Sequence, residues 1–401
     1  MEKIKMSNPK TAAAAGLYIH IPFCRKKCRY CDFYSVTDPS LQPGFLKALQ
    51  QEMRLAAASQ PALNFDTLYL GGGTPSALGV GAVEEIIKAA RRAFSFLPDT
   101  EVTVEVNPGT VDFDSLQRLR QAGANRLNVG VQSFRDRNLV FLGRIHSAIE
   151  AERVLAWSHA AGFDNIGIDL IYGIPGQTPD TWKIDLLKAI DCDLSHLSCY
   201  SLTFEPGTPL EIDLRRGKFT AVDENRMAEL YLQTLDVLGR GGFEQYETAN
   251  FARSRGRRSR HNCKYWSFSP YLGLGPSAHS FVEPERFWNC ADVDRYIRQL
   301  DNGRRPIEES ETLTREELMI EAVYLGLRLI DGIDMFAFND LFGIDFMERF
   351  GAKSAAFELE GLLTTTAGHC RLTPRGMLLL DTIADAFVAV SYTHLRAHET
   401  T

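Results

Sequence analysis

Apolar stretches rich in β-branched residues alternate with stretches of helical periodicity through the first half of the chain, a pattern typical of parallel α/β folds. Six strands are predicted, at residues 17–21, 67–70, 102–106, 126–129, 166–171 and 196–201. Helices are predicted at residues 45–58, 82–94, 115–122, 148–161, 181–190 and 223–238. The repeats predict right-handed crossovers and favour a partial (β/α)6 TIM-like barrel over a closed eightfold one.

Unusual residues follow the predicted strands at their carboxyl ends. A cysteine-rich segment, Gly-Gly-Gly at 71–73, Asn-Pro at 107–108 and Gly-Ile-Pro at 173–175 each come directly after a strand. In (β/α) barrels the loops at the carboxyl ends of the strands carry the chemistry. The sequence therefore predicts a functional site at this end of the barrel.

A second, mostly helical region begins at residue 306. Helices are predicted at 315–329 and 376–387, with a short strand at 370–373 between them, and this order favours a small winged-helix-like module. The predicted organisation is an N-terminal extension (1–16), a barrel core (17–240), a region extending the core (241–305), a C-terminal domain (306–390) and a tail (391–401). The tail resembles translated cloning sequence rather than a natural terminus.

Composition narrows the class of protein without identifying it. The 401 residues carry a net charge of −7 and are 45% hydrophobic, which are ordinary values for a globular protein. A mildly acidic chain is not typical of general nucleic-acid binders, so no nucleic-acid partner is expected. No apolar run reaches the about 18 residues that span a bilayer, and the polar N-terminus lacks the apolar core of a signal peptide. These features predict a cytoplasmic protein.

Three of the eight cysteines, Cys24, Cys28 and Cys31, are crowded into one short segment. A structural zinc site needs four ligands, usually in two separated pairs, and the sequence has no second pair. Three thiolates can hold an iron–sulfur cube and leave one iron open to a small molecule. Basic residues interleave the cysteines, which favours thiolates and argues against the alternative of three buried cysteines on a turn.

The spacing C-x3-C-x2-C resembles the signature of the radical S-adenosylmethionine (SAM) superfamily. The resemblance implies a [4Fe–4S] cluster on Cys24, Cys28 and Cys31, with the amino and carboxylate groups of SAM on the fourth iron. In that superfamily the reduced cluster can split a C–S bond of SAM and yield a deoxyadenosyl radical. The further SAM contacts that the resemblance implies are Tyr18, Tyr30, Gly72, Gly73, Thr74 and Glu105. Without that context, a glycine turn and a strand-end carboxylate would be ordinary features.

Further stretches resemble one family in this superfamily, the oxygen-independent coproporphyrinogen III oxidases. They lie at residues 130–134, 142–146 and 168–175. In that family the positions matching Gln132, Arg144 and Asp169 line a second SAM-binding region. The resemblance extends over nearly the whole chain.

The family contains two functional branches. HemN enzymes oxidatively decarboxylate coproporphyrinogen III, whereas HemW-like proteins are haem chaperones. The enzymes carry a further cysteine two residues beyond the cluster motif, where this chain has Phe33, and a long N-terminal arm, where this chain has sixteen residues. The chaperone motif His-Asn-x-x-Tyr-Trp occurs at 261–266. These features favour a haem chaperone, and coproporphyrinogen III dehydrogenase is the alternative.

The segment that begins at His261 also suits a porphyrin. Imidazole is a common axial ligand of haem iron, and Tyr265 and Trp266 could lie against a flat macrocycle. Five arginines precede it between residues 253 and 260, and guanidinium groups bind carboxylates such as haem propionates. The hypothesis is a haem site at these residues, and a solvated basic loop is the alternative for any single arginine.

The expected ligands are therefore a [4Fe–4S] cluster, SAM and haem. The expected partner is an acceptor haemoprotein, which could be associated with a membrane. No catalytic side chain is predicted, and the sequence leaves open whether SAM is cleaved or only bound.

Overall fold

The computed structural model describes residues 14–388, so the predicted tail and most of the predicted N-terminal extension lie outside the described residues. A twelve-stranded sheet forms its centre. Six adjacent strands run parallel in chain order: β1 (Ala15–Ile21), β2 (Asn64–Gly72), β3 (Ser95–Val106), β4 (Arg126–Gln132), β5 (Ile166–Tyr172) and β6 (His196–Ser201). β4 is buried along its whole length, as expected for a strand covered on both faces.

Helices connect these strands, and neighbouring helices pack against one another. They are α1 (Gln42–Ser59), α2 (Val80–Ala93), α3 (Phe113–Gln121), α4 (Asp136–Leu142), α5 (Ala148–Ala160), α6 (Pro179–Asp191), α7 (Pro209–Arg215) and α8 (Glu224–Arg240). Local sequence explains where several begin. Ser147 and Glu150 form a capping box at the start of α5, and Asp112 caps α3 by accepting the N–H of Ser115, so helix-end donors are satisfied. The predicted α/β class with a partial barrel is confirmed.

Short strands that the sequence pattern did not predict extend the sheet at both edges. Beside β6 lie the antiparallel β7 (Glu244–Gln245) and β8 (Asn250–Ala252); beside β1 lie β9 (Tyr271–Leu274), β10 (His279–Val282), β11 (Glu285–Asn289) and β12 (Ile307–Thr312). Two helices belong to this part of the chain, α9 (Arg260–Trp266) and α10 (Val293–Asp301). Since β12 pairs with β11, the large sheet continues past the predicted boundary at residue 306.

The C-terminal module, residues 315–388, combines helices with a three-stranded sheet. Its elements are α11 (Arg315–Arg328), β13 (Ile333–Asp334), α12 (Met335–Phe342), α13 (Phe346–Leu359), β14 (Leu363–Thr365), β15 (His369–Leu372) and α14 (Pro374–Met377), followed by helical residues 380–388. Phe338, Phe346, Phe350 and Phe387 pack in its core. Helices combined with a small antiparallel sheet agree with the predicted winged-helix-like arrangement.

The C-terminal module is attached to the barrel through α11, which contacts α9. Arg328 in α11 pairs with the buried Glu247 at 2.8 Å, and Glu321 in α11 pairs with Arg286 in β11. These ion pairs place the module beside both the β7–β8 edge and the β9–β12 edge of the barrel. Within residues 14–388, no helix combines the length and apolar character needed to cross a membrane.

Candidate functional site

A cavity of about 1610 Å³ opens at the carboxyl ends of the barrel strands and reaches the C-terminal module. The inner end of the cavity is lined mainly by polar side chains: Cys24, Cys28, Cys31, Glu105, Asn107, Gln132, Arg144 and Asp169. The outer end is the part lined by residues of the β9–β10 segment and of the C-terminal module: Tyr271, Ser277, His279, Arg375, Met377, Leu378 and Leu379. The location of the inner end agrees with the expectation that barrel chemistry occurs where parallel strands end.

Hydrogen bonds hold the cysteine loop over the inner end. Cys24 donates its backbone N–H to the carbonyl of Val36 (2.9 Å), and Arg29 donates its own to the carbonyl of Leu142 (3.1 Å). The Arg29 guanidinium also pairs with Asp213. Covalent spacing therefore puts the three cysteines on one loop, and contacts with distant segments orient that loop toward the cavity.

The three clustered cysteines are free thiols of intermediate exposure. Within the described residues, no three metal-binding side chains converge on a single ion. A structural zinc site has four protein donors, whereas three thiols on one loop can bind three irons of an iron–sulfur cube. The donor set therefore fits a [4Fe–4S] cluster that keeps one iron without a protein ligand.

Arg144 connects the cysteine loop to the strand ends. Its Nη1 donates to Cys28 Sγ at 3.3 Å, and its Nη2 donates to the carbonyl of Gly130 at 2.7 Å and to the side-chain oxygen of Asn107. Its Nε is buried and has no hydrogen-bond partner among the described residues. A buried cation with an unused donor suits an anionic ligand, because such donors are normally satisfied.

The glycine loop after β2 lies tightly against the cysteine loop. Gly73 and Thr74 donate their N–H groups to the carbonyls of Ile21 and Phe23, both at 2.8 Å. A Cβ at Gly73 would lie only 2.8 Å from those carbonyl oxygens, and a Cβ at Gly72 only 2.6 Å from the His20 ring. Only glycine allows this approach, which brings backbone groups to the cavity surface.

Two carboxyl groups face the inner end from β3 and β5. Glu105 accepts a hydrogen bond from the Tyr69 hydroxyl at 2.7 Å, and Asp169 accepts one from Asn128 at 2.8 Å. Withdrawal from water, reinforced by the charge of Asp169, raises the pKa of Glu105 to about 7. Withdrawal from water also raises the pKa of Asp169. Carboxyl groups in this setting can hydrogen-bond the hydroxyls of a sugar.

The residues predicted to contact SAM all line the cavity: Tyr18, Tyr30, Gly72, Gly73, Thr74, Glu105, Gln132, Arg144 and Asp169. They come from segments spread over about 150 residues of sequence, and parallel strands bring them to one end of the barrel. Their role as ligands stays a prediction.

His261 does not line the cavity. It belongs to α9 and is buried where this helix packs against β1 and β2. Its Nδ1 lies 2.7 Å from Thr67 Oγ1 and its Nε2 lies 3.0 Å from the Tyr265 hydroxyl, so both ring nitrogens have partners. The ring stacks on Tyr69 with a centroid distance of 5.1 Å. Withdrawal from water lowers the pKa of His261 to about 3. This geometry argues against the hypothesis that His261 is an axial ligand, because no nitrogen is free for iron.

The other parts of the hypothesised haem site are also separated. Tyr265 lines the cavity, but Trp266 packs against Tyr246 (centroid distance 6.1 Å) and does not line it. Arg253 donates to three backbone carbonyls, and Arg257, Arg258 and Arg260 form ion pairs with aspartates. These guanidinium groups are used within the fold and lie outside the cavity lining, contrary to the hypothesis that they dock propionates.

The sequence patterns did not predict the outer end of the cavity. His279 follows the tight turn at 275–278, and Arg375, Leu378 and Leu379 come from the C-terminal module. Asn107 was noticed only as part of a strand-end dipeptide, and its contact with Arg144 emerges from the fold. Only the packing of the module on the barrel brings these residues to one cavity.

Comparison with known families and proteins identifies the relatives of this chain. Residues 18–187 match the radical SAM superfamily, and residues 313–379 match the HemN C-terminal domain. The chain is similar to a solved structure described as coproporphyrinogen III oxidase (HemN) from Escherichia coli, with a TM-score of 0.82 and 24% identity, covering 94% of this chain and 90% of that one. At this identity the likeness shows the shared fold.

Curated relatives are similar over nearly their whole length. The protein named heme chaperone HemW from Mycobacterium tuberculosis is 34% identical over 383 residues, covering 94% of this chain and 95% of that protein. The proteins of the same name from Bacillus subtilis and Escherichia coli are 33% and 32% identical, covering 92% and 93% of this chain and 98% of each relative. This chain therefore belongs to the radical SAM superfamily and, within it, to the family of the proteins named heme chaperone HemW.

Proposed function

We propose that this protein is a haem chaperone that binds haem, a [4Fe–4S] cluster and SAM, and passes haem to an acceptor haemoprotein. Its similarity to proteins named heme chaperones extends over more than nine-tenths of the chain. The radical SAM superfamily implies the cluster and SAM.

The inner end of the cavity would hold the cluster and SAM. Cys24, Cys28 and Cys31 would bind three irons, and the Arg144 guanidinium beside Cys28 would stabilise the negative charge of the cluster. The backbone of the glycine loop would contact the amino acid end of SAM, and Glu105 its ribose. When bound, the cluster and SAM supply one-electron reductive chemistry.

The size of the cavity carries the proposal of a further ligand. Small-molecule sites commonly measure about 300–1,000 Å³, whereas this cavity measures about 1610 Å³ and extends from the cysteine loop to the C-terminal module. One nucleoside beside a cluster would leave much of that volume to water. The remaining space suits a second large ligand, and haem is the ligand named by the relatives.

The test is a paired assay on the full chain after anaerobic reconstitution with iron and sulfide. Titration with hemin should give a saturable Soret shift, and the loaded protein should transfer haem to apomyoglobin. Incubation with coproporphyrinogen III, SAM and a reductant should leave the propionates intact. Absence of saturable hemin binding would contradict the proposal, and decarboxylation at a catalytic rate would establish the alternative function of a dehydrogenase.

A further inference from the structure

We propose that haem binds at the outer end of the cavity, between β10 and the loop after α14, with His279 as the axial ligand of its iron. The inference rests on the proposed haem-chaperone function and adds the location and the ligand. It replaces the hypothesised site at His261, whose two ring nitrogens are already hydrogen-bonded.

His279 has the geometry that His261 lacks. It lies at the start of β10, is exposed, and lines the cavity. Its ring stacks on Trp288 of the neighbouring strand, with centroids 5.5 Å apart and planes inclined by 21°. The ring makes no hydrogen bond within residues 14–388, whereas His20, another cavity-lining histidine, has both its nitrogens occupied. Stacking fixes the ring plane and leaves nitrogen free to bind iron.

The C-terminal module contributes an apolar surface and a cation to the same cavity. Leu378 and Leu379 remain 38% and 43% exposed and line the cavity together with Met377. Arg375 of α14 is also exposed, and its one hydrogen bond within the described residues is a long contact to a backbone carbonyl (3.5 Å). Haem combines a flat apolar ring with two carboxylates, so leucines can cover the macrocycle while the guanidinium binds a propionate.

Arg286 links the strand pair that carries His279 to the C-terminal module. This residue lies on β11, the strand paired with β10, and its guanidinium pairs with Glu321 of α11 in the C-terminal module. Partial withdrawal from water and the nearby charge of Arg286 lower the pKa of His279. A neutral imidazole is the form that binds a metal.

The first experiment compares His279→Ala with His369→Ala, which removes an exposed histidine of the C-terminal module outside the cavity lining. Both variants are reconstituted as full chains, and circular dichroism and iron–sulfur absorbance confirm folding. His279→Ala should weaken hemin binding by about tenfold or more and change the Soret maximum, and His369→Ala should do neither. Exogenous imidazole should restore the Soret maximum of a His279→Gly variant.

The outcomes separate this inference from the proposed function. If the unmodified protein binds hemin but His279→Ala keeps the same affinity and spectrum, the assignment of His279 is overturned while the chaperone function stands. Failure of imidazole to restore His279→Gly would also overturn it. If the unmodified protein does not bind hemin, the proposed function fails and this inference fails with it.

The second experiment tests the propionate contact. Arg375→Ala is compared with Arg371→Ala, a change at an exposed arginine outside the cavity lining, using hemin and hemin dimethyl ester as probes. Arg375→Ala should weaken binding of hemin by about three- to tenfold and leave binding of the uncharged ester unchanged. Equal losses with both probes, or no loss with hemin, would overturn the role of Arg375.

Discussion

The inner and outer ends of the cavity differ in how their side chains are held. At the inner end, Glu105, Asp169 and Arg144 each have hydrogen-bond partners on the barrel. At the outer end, His279 and Arg375 are exposed and make few polar contacts. Side chains that are already ordered lose less conformational entropy when a ligand binds, and this favours tight binding. The comparison indicates that the inner end suits resident cofactors, whereas the open outer end suits a ligand that must leave.

The largest effect is expected from Cys28→Ser, which removes one iron ligand at the inner end. Iron–sulfur absorbance should be lost after reconstitution, because two cysteines do not hold the cube. Hemin affinity should stay within about threefold, since the outer end does not include Cys28.

Cys192→Ser is the matched control, because Cys192 is a free cysteine of intermediate exposure outside the cavity lining. Iron content, visible spectra and hemin titrations distinguish the variants. Simultaneous loss of hemin binding in Cys28→Ser would show that the two ends are not independent.

In the protein without the cluster, Glu105→Gln should change the way the free energy of unfolding depends on pH. The pKa of Glu105 is raised to about 7 in the fold, so the folded state retains a proton that the unfolded state loses near its ordinary value. The stabilisation is therefore complete below that ordinary value and is lost as pH rises toward 7. Over this pH range, the free energy of unfolding of the unmodified protein should fall by up to about 3 kcal/mol relative to that of Glu105→Gln.

Urea unfolding of both proteins between pH 5 and 8 measures this difference. The pH dependence should be smaller in the variant, because glutamine does not titrate. If the free energies of unfolding of the two proteins varied with pH in parallel, Glu105 would not have a raised pKa in the folded state.

His261→Leu separates a structural histidine from a haem ligand. The variant leaves the buried Thr67 hydroxyl without its partner, so the free energy of unfolding should fall by about 1–3 kcal/mol. Adding Thr67→Val should recover part of that loss, because both polar groups are then removed. Hemin affinity and the Soret maximum should stay unchanged. Weaker hemin binding with a shifted Soret maximum in a folded His261→Leu protein would support His261 as the axial ligand.

The smallest effect is expected at the ion pair between Arg286 and Glu321, which links the strand pair that carries His279 to the C-terminal module. Replacing Glu321 by Gln should lower the free energy of unfolding by less than about 1 kcal/mol, because the pair is partly exposed to solvent. Hemin affinity should fall by about two- to threefold as this link loosens. Calorimetry and hemin titration measure the two effects, and an unchanged affinity would argue that this pair does not help hold the outer end together.

Local patterns in the sequence were sufficient for the barrel and for most of the inner end. The predicted strand at 196–201 has the bounds of β6, and the other five predicted strands lie within observed ones. The cysteines directly follow β1 and the glycine run ends β2. Because these strands are adjacent and parallel, the two segments lie close together. Edge strands such as β7, with two residues, were missed because they carry no readable alternation.

The sequence by itself determined the repeating β–α order, the trio of thiols and the strand ends at which they gather, because periodicity and covalent spacing are local properties. Only the tertiary structure decided which histidines and arginines are buried and hydrogen-bonded and which are exposed to the cavity. His261 is buried and hydrogen-bonded to Thr67, which is 194 positions away. His279 is exposed and lines a cavity shared with a module that begins some 35 residues later. Exposure and hydrogen-bond partners depend on which distant segments pack together, so they cannot be read from the nearest residues.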